Sequence, residues 1–350
     1  MGGRSALFRV AFARAPFLLP LVTYLALYFA DGSGFHPSGD GYYSWVFARS
    51  IAFDGDLRFE NDYALCGDPF GVGVDRGAGR PDNFFYAGPA IFWAPALFVV
   101  RLCASVFLGW AGASAASCVG WVPGVTIATS VVLAAIAIAL SARAAEGVAP
   151  EGVSRAYALV LAFGSPLFVY ATSAAHYSHA SQTFCSAGLV WAAMRLRDLP
   201  PSRRGSREWA CIALLLAAGA VHRPHALLYA VIPLAVALER PALRARGLVA
   251  IGAGVAAGVI ASGALGVLLR GSAFGVPQGP HLIHVGHAHP FLLLFAIRGG
   301  FFFWTPVAWL AVVGLASLVR DRATRLLGIA FVVAAAAEIF VSSTPIDWEA

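Results

Sequence analysis

Gly247–Leu269 reads GLVAIGAGVAAGVIASGALGVLL, 23 residues without a charge, entered past Arg240, Arg244 and Arg246 and closed by Arg270. At about 1.5 Å per residue, a helix of this length crosses roughly 30 Å of hydrocarbon. Its glycines, Gly252, Gly254, Gly258, Gly263 and Gly266, suit a bilayer, where small residues let helix backbones approach. The same layout, an apolar block bounded by short arginine-bearing breaks, repeats along the chain. Of 350 residues, 59% are hydrophobic and 12% charged. A soluble domain carries about twice that charged fraction, and a disordered chain lacks such apolar blocks. The pattern predicts an all-α polytopic membrane protein.

The blocks predict ten spans: 10–30, 84–101 (with a possible extension to 110), 119–142, 155–172, 178–195, 208–222, 224–239, 247–269, 301–319 and 325–341. All 24 basic residues are arginine, and fourteen of them lie in four patches, at 4–14, 195–207, 240–246 and 320–325. Each patch abuts an apolar block. They therefore read as cytoplasmic anchors rather than as a groove for a phosphate backbone, and nucleic acid is not an expected partner. The first block follows Arg4, Arg9 and Arg14 but runs into polar sequence without a cleavage pattern, so it reads as a retained span. The patches put 31–83, the turn 173–179, the tip at Arg223 and the stretch 270–300 outside. One parity problem results. The turn 143–154, counted back from 195–207, falls inside, yet two spans separate it from 31–83. Either 84–110, interrupted by Pro89 and Pro95, is broken or re-entrant, or a crossing is missing.

The outside segment 31–83 holds nine of the 18 acidic residues. A loop this long between spans is usually functional. Within it, Tyr42–Phe53 (YYSWVFARSIAF) predicts an amphipathic interfacial helix with Tyr and Trp at headgroup level. Asp40 precedes it, either as its N-cap or as a carboxylate held at the membrane boundary to deprotonate or orient an acceptor hydroxyl. Asp54 and Asp56, two residues apart, have the spacing to share a divalent ion such as Mg or Mn, or to be ordinary loop acids. Asp68, Asp75 and Asp82 read as solvated. Cys66, Cys103, Cys118, Cys185 and Cys211 show no paired spacing, which argues against a structural disulfide or a zinc site.

Arg223 interrupts an apolar hairpin, Ala217–Leu228 (AAGAVHRPHALL). A charge at a bilayer edge needs a partner or water. A lipid phosphate, which Arg grips bidentately, fits, as does snorkelling to outer headgroups. His176 and His179, three apart, share a helix face if that stretch is helical, and they offer bonds to a carboxylate or a substrate hydroxyl. The external stretch 270–300 carries His281, His284, His287 and His289, then Arg298, a second candidate for holding an anion. The sequence has no glycine-rich phosphate loop with Lys. That argues against an ATP-driven pump or a nucleotide-sugar domain, and no nucleotide or organic cofactor is expected. The polar tail Ser342–Ala350 looks like the opening of another loop, which predicts a chain that is C-terminally incomplete.

The order of several motifs resembles the GT-C membrane glycosyltransferases, which include bacterial lipid A aminoarabinose transferases and protein O-mannosyltransferases. These motifs are Gly39-Asp40-Gly41-Tyr42-Tyr43 opening the first external loop; Asp54-Gly-Asp-Leu with Glu60-Asn-Asp62-Tyr63; Asn83-Phe-Phe-Tyr-Ala-Gly-Pro89; and Ser165-Pro-Leu-Phe-Val-Tyr170 with Ser178-His179-Ala180. Then follow His222-Arg223-Pro224, Gly299-Gly-Phe-Phe-Phe-Trp304-Thr-Pro306, and Asp347-Trp348. The resemblance implies a GT-C-like helical bundle over 1–350 with external loops at 31–83 and 270–300. It implies a polyprenyl-phosphate sugar donor in the outer leaflet of the bacterial cytoplasmic membrane, an acceptor glycan, lipid or protein, and an outward-facing site. Asp40 takes the catalytic or acceptor-orienting role. Arg223, with Arg298, takes the donor phosphate, and His176, His179, Tyr42 and Tyr43 a secondary or acceptor site. A divalent ion at Asp54 and Asp56 is known only from some relatives. Where relatives carry a Glu after the first-loop Asp, this chain has Gly41. Two other readings compete: a carrier of lipid-linked saccharide, which would place charges near the bilayer midplane, and a non-catalytic assembly protein.

Overall fold

The computed structural model describes residues 2–31, 37–75, 79, 81–118, 122–200, 205–273, 286 and 288–344. His281, His284 and His287, and the Asp347-Trp348 end, lie outside the described residues. The chain is an all-α, multi-pass membrane protein. Among the described residues the sole extended pairing is an isolated bridge between Asp75 and Pro81.

Helix α1 (Gly2–Asp31) leads to α2 (Gly39–Arg49), which widens into one π-turn at Ser50–Asp54. After α3 (Glu60–Cys66) comes α4 (Ala90–Ala115), then α5 (Gly124–Ala145), α6 (Glu151–Gly164), the single turn α7 (Leu167–Tyr170) and α8 (His179–Asp198). Next, α9 (Ser206–His222) and a 3₁₀ stretch Pro224–Ala230 lead into α10 (Val231–Glu239) and the long α11 (Pro241–Arg270). Two short helices, α12 (Pro290–Phe295) and α13 (Phe301–Trp304), precede α14 (Ala308–Arg320) and α15 (Arg325–Ser342).

Four helices are both long and apolar enough to cross a membrane: Ala90–Cys118, Gly124–Ala145, Pro241–Arg270 and Arg325–Ser342. Shorter apolar helices lie at Arg14–Ala30, Pro224–Glu239 and Ala308–Arg320. This is fewer than the ten expected spans, because prolines cut some blocks. Ser165-Pro166 separates α6 from α7, and Thr305-Pro306 separates α13 from α14. Proline removes a helix donor and disfavours helix in the residue before it.

Helix α4 settles the parity problem. It reverses at Gly109, whose φ of 68° and ψ of 168° break the helix; glycine reaches this region without a Cβ penalty. Trp110 then folds back under Arg101, the guanidinium 3.2 Å from its ring centroid. Just before α4, the Asn83 amide donates to the Tyr43 carbonyl at 2.7 Å. Just after it, Cys118 is disulfide-bonded to Cys66 and stands beside Tyr42. The segment 84–118 thus leaves the 31–83 segment and returns to it, and α5 carries the chain away.

The bundle has two distinct ends. At one, Gly147 meets Met194 and Asp198, the Arg197 guanidinium pairs with Glu239 at 3.4 Å and donates to the Ala323 carbonyl at 2.5 Å, and Arg240 donates to the carbonyls of Arg197 and Leu199. The joints α5–α6, α8–α9, α10–α11 and α14–α15 meet there, at the arginine end. At the other, the loop end, Ser38 bonds His176 at 3.1 Å, His222 bonds Ser181 at 2.9 Å, and the His289 amide donates to the Ser343 carbonyl at 3.3 Å. Between the ends, α11 lies against α9 so closely that a Cβ on Gly254 would stand 2.7 Å from the Ala213 carbonyl oxygen, and one on Gly258 2.6 Å from the Ala220 Cβ. These two glycines serve the close packing expected of them, whereas a Cβ on Gly252 would meet open space.

Candidate functional site at the loop end

Helix α2 is not the interfacial amphipathic helix that its sequence suggests. Every residue from Gly41 to Arg49 is buried, because α4, its return past Gly109 and the 59–85 loop surround it. Tyr43 is wholly buried; its hydroxyl donates to Asp68 at 2.7 Å and accepts from the Phe70 amide at 2.8 Å, and its ring stacks on Phe85 at 5.1 Å. The Tyr42 hydroxyl donates to the Gly67 carbonyl, while burial and nearby carboxylates push its pKa up to about 12. Both tyrosines hold the loop together. Tyr42 also lines a cavity of about 380 Å³ with Trp45, Asp68 and the Cys66–Cys118 disulfide.

That disulfide overturns the reading that the cysteines form none. The two Cα atoms are 5.3 Å apart although the residues are 52 apart in sequence, so only the return of α4 brings them together. The solvated reading of Asp68 and Asp82 also fails. Asp68 accepts from Tyr43 and from the Val72 and Gly73 amides at 2.9 and 2.8 Å, and Asp82 is fully buried.

The acidic cluster organises around Arg49, which sequence reasoning passed over. Its side chain is 1% exposed. It pairs with Asp54 at 2.6 Å and with the buried Asp62, and donates to Ser117 at 2.8 Å and Ser114 at 3.2 Å. A buried charge is tolerable only when so fully bonded. Burial raises the Asp62 carboxyl to about 6 even against the pull of Arg49. Asp56 faces elsewhere, accepting from the Ser50 hydroxyl at 3.1 Å and the Arg58 amide at 3.0 Å. Asp54 and Asp56 therefore do not converge on a common ion. Among the described residues, no group of three or more metal-ligating side chains forms. The residues do not fit the expected divalent ion, and no step below is routed through one.

Asp40 is the second residue of α2, not its N-cap; Ser38 holds that position. Its carboxylate is exposed in the first helical turn, where the helix dipole favours negative charge. Its charge acts on Tyr177, whose hydroxyl burial and Asp40 together hold above the ordinary range. The cavities at Tyr42 and at the arginine end are lined by other residues. Gly41 admits no side chain, because a Cβ there would stand 2.5 Å from the His176 carbonyl oxygen.

His176 and His179 do not share a helix face. His176 lies in the turn before α8 and faces Ser38, with burial lowering its pKa. His179 opens α8 and stacks on Tyr170 at 3.8 Å, and Tyr177 stands 6.2 Å from Tyr170 and 6.4 Å from His179, centroid to centroid. This ring cluster spans from the Asp40 side to the Arg223 side.

Arg223 is half-buried at the joint between α9 and the 3₁₀ stretch. His222 anchors that joint; wholly buried, it bonds Ser181 and the Ala218 carbonyl, each at 2.9 Å. Its backbone lies hard against Gly88. The Arg223 charge reaches Tyr86, His179, His225 and Glu338. Among the described residues, its guanidinium has no hydrogen bond and no ion pair within 4 Å. His225 and Glu338, absent from the sequence-level candidates, pair at 3.3 Å, with Ser342 reaching the same carboxylate at 3.4 Å. A lone Glu in an apolar span was the signal available for finding them. Arg298 is exposed in the turn after α12, and no contact ties it to Arg223.

Against known proteins, the chain matches no family model, no curated protein and no solved structure.

Proposed function

We propose that this chain is a membrane glycosyltransferase that moves a sugar from a polyprenyl-phosphate donor to an acceptor at the outer face of a bacterial cytoplasmic membrane. One observation carries the reading. An unpaired, half-buried guanidinium, Arg223, and an exposed carboxylate, Asp40, stand at the same end of the bundle, joined by the Tyr177–Tyr170–His179 ring cluster.

In this reaction Asp40 accepts the proton of the acceptor hydroxyl as its oxygen bonds to the anomeric carbon. The bond from that carbon to the phosphate oxygen breaks, and Arg223 offers its fork of donors to the charge gathering on the departing lipid phosphate. The orientation has two independent supports. Arginine-rich joints gather at the far end, as cytoplasmic joints do. The disulfide lies at the loop end, and disulfides persist in oxidising compartments. The Glu338–His225 pair lies four residues from the end of α15, near the bilayer edge rather than the midplane where a carrier would be expected to hold its charges.

The test uses purified full chain, a panel of polyprenyl-phosphate sugars and cell-envelope extract as acceptor, with released polyprenyl phosphate as the readout. Asp40→Asn lowers release by about 10²–10⁴-fold with an unchanged thermal midpoint. Equal release by the variant removes Asp40 from the chemistry. Passage of lipid-linked saccharide across vesicles without any release favours the carrier.

A further inference from the structure

The arginine end contains a cavity of about 750 Å³ between the α8, α10 and α15 termini, lined by Arg197, Asp198, Glu239, Arg240, Arg322 and Arg325 and by the α15 residues Leu326 and Ile329. The four arginines divide into two kinds. Arg197 and Arg240 are engaged by Glu239 and by backbone carbonyls, and they tie the joints together. Arg325 donates through Nε to the Val319 carbonyl at 3.2 Å, which leaves its two terminal nitrogens available. Arg322 is exposed and has no hydrogen bond or ion pair among the described residues. Four arginines against two acids leave the lining with a net charge of +2. Beyond the guanidiniums, Leu326 (37% exposed) and Ile329 (43% exposed) continue the wall along α15. Ile329 stands one helical turn above Arg325, on the same face.

A cationic floor that gives way to an exposed apolar helix face has the order of a phospholipid, phosphate first and acyl chain after. We propose that this cavity binds the headgroup of an anionic phospholipid, with the phosphate on Arg322 and Arg325 and an acyl chain along Leu326 and Ile329. Arginine suits a phosphate through bidentate bonding, and basic pockets between spans take anionic headgroups. A choline headgroup brings a cation of its own toward the arginines and binds less well. The site stands independently of the glycosyl-transfer reading.

The experiment titrates detergent-purified full chain with dioleoylphosphatidylglycerol, dioleoylphosphatidylcholine or inorganic phosphate and follows the thermal midpoint. Phosphatidylglycerol raises it at the lowest mole fraction, and Arg322→Gln/Arg325→Gln raises the half-saturating fraction about tenfold, the loss of one good charged contact. Arg207→Gln/Arg246→Gln removes the same charge from exposed positions outside the cavity and leaves the titration unchanged. Arg322→Gln alone, which breaks no bond in the fold, moves it in the same direction. Equal weakening by both double variants reveals diffuse attraction and overturns the site. Equal potency of phosphatidylcholine, or saturation by inorganic phosphate, overturns the lipid assignment.

Discussion

Arg49 and Arg223 are both arginines held away from bulk water near the loop end, one inside the 39–118 module and one at the joint above α9. The fold treats them in opposite ways. Arg49 has two carboxylates and two hydroxyls around a wholly buried guanidinium. Arg223 is half-buried beside His179, His225 and Glu338, with neither hydrogen bond nor ion pair among the described residues. A structural charge completes its bonds within the chain, whereas a charge kept for a ligand keeps its donors available. Burial without satisfaction would cost several kcal/mol, so half-burial is what lets Arg223 remain unpaired.

The strongest way to break this comparison is Arg49→Leu. It strands Asp62 in the interior, and we expect a loss of about 3–5 kcal/mol, read as a collapse of folded yield and thermal midpoint in detergent. A midpoint near wild type would show that the network around Arg49 is dispensable. Next comes Cys66→Ser/Cys118→Ser. Opening a link across 52 residues costs about 2–4 kcal/mol through the chain entropy restored to the unfolded state. Reductant should lower the wild-type midpoint and leave the variant's unmoved. Arg223→Gln sharpens the contrast from the other side. The midpoint stays within about 0.5 kcal/mol, as for a group without partners, while the donor KM rises about tenfold or more, the loss of one charged contact. A destabilised Arg223→Gln with normal donor use would make Arg223 structural like Arg49.

The smallest expected effect is the pH response of Asp62. Its folded pKa of about 6 lies above its ordinary 3.8, so the fold favours the neutral acid. That contribution is complete below about pH 4 and is lost as pH rises through about 6. Measured against Asp62→Asn, the wild-type midpoint therefore falls across this window. Parallel curves would mean that Asp62 stays ionised beside Arg49 throughout.

Reading the sequence served best where periodicity and charge act locally. Gly254 and Gly258 face α9, and the arginine patches at 195–207, 240–246 and 320–325 meet at one end. It failed where partners lie far apart along the chain. The alternation in Tyr42–Phe53 suggested one wet face, but α4 and the 59–85 loop cover every side. The acids of 31–83 looked like solvated loop residues, yet Asp62, Asp68 and Asp82 are buried or bonded. Cys66 and Cys118 lack any recognisable spacing, because their partnership depends on a reversal at Gly109. The Glu338–His225 pair joins two spans more than a hundred residues apart.

By itself the sequence determined the solvent in which this protein folds and the end of the bundle that carries its arginines. Transfer free energy and charge asymmetry are sums over neighbouring residues, and any ordering of the spans preserves them. Only the tertiary structure decided which charges are neutralised and which stay available. That choice turns on a few ångströms between groups from distant segments, a distance that no local pattern encodes.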